Sequence, residues 1–264
     1  MNADLLLPNN TEASKRWLKW LPAWHLMLSL AIALAIAFLV TIVWFPSPHH
    51  LLGGGMRLFW VMMGVDIVCG PLLTWILIKP HKAWRALSVD LVLIACLQWG
   101  ALGYGVYALA HARPLAVVHE VDRFRVINYS DVPEAALQDA PAWFTPWGLS
   151  APRMLGIRGV QGLKEKMGSV ETAFQGVDAA QLPSRWQEYE QSRADVLKRA
   201  RPLDDLRARY PMDAGRIDEI ARTAAVPAGV LWLPLVARQS MEWVALIDPS
   251  TAAILGYLPL DGFF

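Results

Sequence analysis

LFWVMMGVDIVCGPLLTWILI, Leu58 to Ile78, is 21 residues long and carries a single charge. At about 1.5 Å of rise per residue it crosses a hydrocarbon core of about 30 Å, so the stretch reads as a transmembrane helix. Two features make it more than an apolar peg. Asp66 lies well inside the run, where a carboxylate costs at least about 2.5 kcal/mol on insertion scales and therefore turns to protein or water rather than lipid. Gly70 and Pro71 follow one turn later. Pro71 has no N–H to donate, leaves the Ile67 carbonyl without its helical partner and so sets an acceptor near Asp66. Two readings of Asp66 stand side by side: a functional acid, or a structural group that bonds a neighbouring helix.

Outward from this span, two more apolar runs appear. Leu26 to Phe45 is uncharged and longer than a signal-peptide core of about 7 to 15 residues, so it reads as a retained helix. Ser29, Ala33, Ala37 and Thr41 recur every fourth residue and form a small-residue face suited to close helix packing. Ala86 to Leu109 contains Asp90 and Gln98, with Gly100, Gly103 and Gly105 as a second packing face. The expected division is a basic, Trp-rich lead-in over 1–23, a three-helix membrane region over 24–109 with spans near 26–45, 58–78 and 86–109, and an outer domain over 110–264.

Orientation follows from the basic residues. Lys15, Arg16 and Lys19 precede the first span, and Lys79, Lys82 and Arg85 join the second to the third, whereas Arg57 stands alone between the first and second. The positive-inside rule puts the amino terminus in the cytoplasm and everything after Leu109 outside, in a bacterium the periplasm. By helix rise, Asp66 then lies roughly 12 Å and Gln98 roughly 16 Å from the outer ends of their helices, at depths where they meet. Asp90 lies near the inner end, an interfacial ion-pair partner before it is an acid–base group.

The loop before the second span holds His49, His50 and Gly53 to Gly55. Without a Gly-Lys-Ser/Thr ending the glycines are not a phosphate loop, and two adjacent histidines with no further ligand do not make a metal site. A net charge of +1 gives no reason to expect nucleic acid, and Cys69 and Cys96 read as small apolar residues inside spans. The outer domain has interspersed charges and no catalytic constellation. It reads as α+β: strands at 115–118 and 124–127 flanking Asp122-Arg123, a helix between Asp131 and Pro141, a strand at 154–160, and a short helix from Val170 to Gly176. A longer helix is expected from a Ser184–Gln187 capping box to Pro202, then one capped by Asp213. An antiparallel β-meander closes the chain, with Pro234 marking an edge or a bulge.

Several stretches together resemble one family: GVDIVCGPLLTWILIKP from Gly64, VDLVLIACLQWGALGYGVYALAHARP from Val89, VVHEVDRFRVIN from Val117, ARPLDDL from Ala200, and LWLPLVARQSMEWVALIDPSTAAILGYLPLDGF from Leu231. In these the chain resembles the TfpX/TfpZ type IV pilin accessory proteins; residues 133–183 match loosely. The resemblance implies a bacterial inner-membrane protein, without enzymatic activity or cofactor, that assists the major pilin in stability, assembly or pilus dynamics beside other pilus-assembly proteins. Asp66, Gly70, Pro71, Asp90, Gln98, Asp122, Arg123 and Phe124 carry over as motif positions. Two other readings come from the residues themselves: an ion-coupled transporter or relay through Asp66, Gln98 and Asp90, and a membrane-tethered periplasmic sensor.

Overall fold

A computed structural model of the protein describes residues 19–45, 52, 55–78, 83–146, 152–223, 229–237 and 241–264. Lys15, Arg16, Lys79 and Lys82 of the basic flanks, the His49–His50 pair, Gly53, Gly54 and Trp147 lie outside the described residues.

Three helices are long and apolar enough to cross a membrane. The first, α1, runs Leu21–Phe38 with Pro22 in its first turn, where a missing N–H costs nothing. It continues as a π-helical turn, Leu39–Trp44, closed by the Phe45 N–H donating to the Val40 carbonyl at 2.8 Å. Helix α2 is Gly55–Leu77 with Pro71 inside it, and α3 is Trp84–Ala112. Leu28, Leu34, Trp60, Val68, Leu93 and Trp99 are all exposed on their outer surfaces. Apolar side chains all round a helix are the composition of a buried or membrane-spanning segment.

The described residues fall into two compact units, one from 1–39 with 57–109 and one from 40–56 with 110–264. The sequence grouped Leu52 with the spans, whereas this division places it in the second unit. Leu52 shows the physical reason: it is buried in the core of that unit with Val117, Phe124 and Leu235.

The second unit is built on an eight-stranded mixed sheet: β1 Pro114–Glu120, β2 Arg123–Asn128, β3 Arg153–Ile157, β4 Trp186–Glu188, β5 Arg201–Pro202, β6 Leu231–Val236, β7 Trp243–Ile247 and β8 Ile254–Leu258. The order is β4-β3-β1-β2-β6-β7-β8, with β5 also on β6. The β1–β3 and β2–β6 joints are parallel. Strands β6, β7 and β8 pair antiparallel in succession, but as one end of this continuous sheet. Alternate residues serve opposite faces: Val117, Leu233, Leu235 and Ala245 enter one core cluster, while Ala116 and Val118 enter a second and Trp232 and Val244 a third. Burial on both faces explains why the strands read as near-continuous apolar runs.

Pro234 corrects the expectation of an edge or bulge. Strand β6 is flanked by β7 on one side; on the other it pairs with β5 at Leu231 and Trp232 and with β2 at Leu235 and Val236. The proline occupies the seam between those two partners, where its missing N–H breaks no ladder.

The helices of this unit are short: α4 Gly162–Phe174, α5 Arg193–Arg199, α6 Leu203–Arg209 and α7 Ala214–Thr223. One expected helix is replaced, and the one expected from Ser184 to Pro202 keeps only its second half, as α5. The segment between Asp131 and Pro141 forms 3-10 turns at Tyr129–Asp131 and Glu134–Asp139. The Ser184–Gln187 box starts no helix: Trp186 enters β4 opposite Ile157, and Gln187 donates to Ser192 Oγ at 2.9 Å. Tertiary pairing with β3 overrides the local helical spacing there.

Candidate functional site

Within the first unit, four-residue spacing decides which side chains meet. On α2 it aligns Asp66, Gly70 and Thr74 along one face; on α1 it aligns His25, Ser29 and Ala33. His25 Nε2 lies 2.7 Å from Gln98 Oε1 and its Nδ1 lies 2.6 Å from Thr74 Oγ1. The amide oxygen accepts from Nε2–H, and in the neutral ring Nδ1 accepts from the Thr74 hydroxyl. One imidazole thus ties α1 to both other helices. Thr74 is fully buried, so this arrangement satisfies groups that would otherwise sit unpaired in an apolar interior.

Gly70 makes the clamp sterically feasible. A Cβ at this position would overlap the Gln98 amide, with Cδ at 2.6 Å. Pro71 directly follows, within the same unbroken helix.

One turn above Gly70, Asp66 lines a cavity of about 140 Å³ shared with His25, Ser29, Ala33, Met63 and Gln98. About 10 to 15 Å³ of such space suffices for one water, so this one has room for several waters or a small chemical group. Asp66 Oδ2 is buried and has no hydrogen-bond partner among the described residues. Asp66 thus places a carboxyl group in walls that are otherwise largely apolar.

Of the sequence-predicted residues, Asp66, Gln98, Ser29 and Ala33 come together here, with Gly70 beneath Gln98. Ala37 is half-buried further along α1, and Thr41 lies in the π-helical turn grouped with the second unit. Asp90 is half-buried on α3 and does not line the cavity. Gly100 and Gly103 are exposed, and a Cβ on either would meet nothing within 4 Å. Within this unit the close approach of α3 is at buried Gly105, the third glycine of the expected packing face, whose added Cβ would meet Met62 Sδ. His25 escaped the sequence reading although its signal was present, one four-residue step before Ser29 on the small-residue face.

In the second unit, Asp122 lies in the β1–β2 turn and Arg123 opens β2, with Arg123 Nε donating to Asp122 Oδ1 at 2.8 Å. That hydrogen bond holds the Asp122 carboxyl below the usual carboxylate range. Phe124 is wholly buried and packs against the His119 ring, centroids 5.5 Å apart. These three residues build the hairpin and the core beneath it, and Phe124 offers no exposed surface. Just past α3, Arg113 lies over the Trp44 ring at 6.0 Å and donates to the Pro146 carbonyl, fastening the π-helical turn to the sheet unit. No group of three or more potential metal-ligating His, Cys, Asp or Glu side chains occurs among the described residues.

Two fimbrial assembly proteins of Dichelobacter nodosus, of serogroups E1 and I, are each 36% identical to this chain over 228 residues, which is 85% of it and 88% of the relative. The chain belongs to the fimbrial assembly protein family. The fimbrial assembly protein of serogroups C1 and C2 from the same organism is 41% identical over 108 residues, 41% of this chain and 82% of that protein. No family model matches the chain, and no solved structure matches it. The 228 aligned residues are enough to take in most of both units.

Proposed function

We propose that this protein is an inner-membrane accessory protein of the TfpX/TfpZ kind that takes part in type IV pilus assembly by binding the major pilin before or during its incorporation. Membership of the fimbrial assembly family supports the pilus setting. Three membrane-length helices support residence in the bilayer, where the apolar amino-terminal helix of a pilin also lies. The amino terminus faces the cytoplasm and the sheet unit the periplasm, as the basic flanks imply.

The observation that carries the reading is Asp66 lining a cavity between three helices, its Oδ2 buried and without a hydrogen-bond partner among the described residues. An unsatisfied acceptor at that depth is expensive to keep, which favours a role in contact with a partner. The His25–Thr74–Gln98 clamp holds the walls in place, so the site is formed before anything enters.

Co-purification from native membranes tests the proposal. The wild-type chain is expected to bring down the major pilin, and Asp66→Leu to lose it while still accumulating in the membrane. Undiminished pilin capture and normal piliation by Asp66→Leu would rule out the anchor. A reporter fused after Phe264 checks the orientation, with periplasmic activity expected.

A further inference from the structure

Helix α4 is mounted with its polar side inward. Leu163, Met167, Val170 and Phe174 recur at steps of four, three and four, which places them on one face, and they are 74%, 67%, 52% and 89% exposed. On the opposite face Glu165 and Thr172 are half-buried. Glu165 is clamped there by Arg158 through two hydrogen bonds of 2.7 and 3.0 Å, and the same guanidinium donates to the Ser184 carbonyl at 3.2 Å. The helix is thereby pinned so that its apolar stripe faces away from the unit's own core, the arrangement of a surface that something else covers.

The chemistry of the stripe identifies what covers it. Its alternating steps of three and four make the narrow seam of a two-stranded coiled coil rather than the broad apolar face of a helix lying on lipid. With Met167 and Phe174 at the a positions and Leu163 and Val170 at d, Lys166 falls at g and Glu171 at e. In a parallel pair the g residue of one helix meets the e residue of the next heptad on the other, so Lys166 faces Glu171 of a second copy, twice by symmetry. Antiparallel overlap of the two stripes would instead set Lys164 against Glu171 and leave Lys166 opposite Ala173, so dependence on Lys166 marks the parallel arrangement.

We infer that α4 is a self-association surface through which two copies of this chain pair, helix against helix in parallel, with Lys166 and Glu171 bonded across the seam. Four apolar side chains per copy make a contact smaller than the roughly 800 Å² per partner of a standard interface. Pairing through it relies on the high local concentration that anchoring in one membrane supplies. The inference goes beyond the proposed function and does not depend on what Asp66 binds.

Disulfide trapping in native membranes tests it, in the full chain with Cys69 and Cys96 replaced by alanine. Val170→Cys is expected to give an oxidised dimer, and Thr172→Cys, on the opposite face, at least about fivefold less, because a disulfide needs its two Cα atoms within about 7 Å. Adding Lys166→Glu to Val170→Cys is expected to lower the dimer yield about tenfold, and a further Glu171→Lys to restore it. Restoration by the charge swap separates lost pairing from lost folding. Equal trapping at positions 170 and 172, no dimer at position 170, or no recovery on the charge swap would overturn the inference. So would a position-170 thiol that crosslinks to a different protein or to a lipid-borne reagent in place of a second copy.

Discussion

Gln98 occupies the space that a side chain on Gly70 would fill, and from that seat its amide oxygen accepts from His25 at 2.7 Å. A backbone without a Cβ on α2 is therefore the condition for a hydrogen bond between α3 and α1. The pair links a covalent feature of the sequence, glycine immediately before proline, to the way the three helices meet.

Replacing that glycine makes the link measurable. Alanine improves helix propensity by up to about 1 kcal/mol, whereas forcing a methyl into an occupied position costs about 1 to 3 kcal/mol. Gly70→Ala is therefore expected to lower the thermal midpoint of the detergent-solubilised protein. In a Gln98→Ala background the same change is expected to be neutral or stabilising, a coupling that a double-mutant cycle reads directly.

Removing the imidazole tests the clamp from the other side. Interhelical hydrogen bonds in membranes average about 0.6 kcal/mol and reach about 1.7, so His25→Leu, which loses two, is expected to cost about 1 to 3 kcal/mol. His25→Gln retains one donor and one acceptor and is expected to recover part of the loss. Equal stability of His25→Leu and wild type in detergent unfolding would mean that the clamp contributes nothing.

Acid sensitivity is expected from His119. It is 3% exposed against Phe124, and burial pushes its pKa below the ordinary histidine value, with the charges of Asp195 and Asp122 opposing. The unfolded chain then binds a proton near pH 6.5 that the folded chain does not. Stability contributed by the neutral ring is complete above that pH and falls by up to about 1.4 kcal/mol per pH unit below it, levelling off below the folded pKa. Tryptophan fluorescence during denaturation at pH 7.5 and 5.5 should show this loss, and His119→Gln should lose less between the two.

The β1–β2 turn carries strain that can be relieved. Val121 has φ of 55°, a left-handed conformation that a β-branched residue adopts only at a cost. Val121→Asn keeps the turn with a residue suited to it and is expected to stabilise the protein by about 1 kcal/mol, the order of the left-handed penalty. The side chain is 62% exposed, so little packing is lost in exchange. A lower melting temperature for this variant would contradict the strain.

How much was legible in the sequence follows from the range of the forces involved. Length and hydropathy act within one segment, so the three membrane-length helices were readable from composition along the chain. The depth of Asp66 and Gln98 along their helices follows from rise per residue, and both line the same cavity. His25 was legible in spacing but hidden by its position near the helix start, and Gly105 rather than Gly100 or Gly103 makes the close contact because helix rotation is set by the neighbours.

In the sheet unit the division is sharper. The strand at Phe124 and the apolar runs from Leu231 onward announce themselves by residue type. Their order does not, because a strand's partners are chosen by which apolar faces close on each other. Trp186 sits in β4, and not in the helix its spacing suggested, because pairing with Ile157 and burial under the sheet outweigh a few tenths of a kcal/mol of local propensity.

The sequence by itself determined three apolar helices, a carboxylate well inside one of them, a Gly-Pro step one turn from it and a mixed-composition domain at the carboxy-terminal end. Each of these depends on interactions between residues a few positions apart. Only the tertiary structure decided that Gln98 bonds His25 rather than Asp66, that Asp66 lines a cavity between the helices, that Pro234 fills a seam between two partner strands, and that α4 turns its apolar stripe outward. Those outcomes depend on which surfaces meet across long stretches of chain, a choice made by packing and hydrogen-bond satisfaction among all the elements at once.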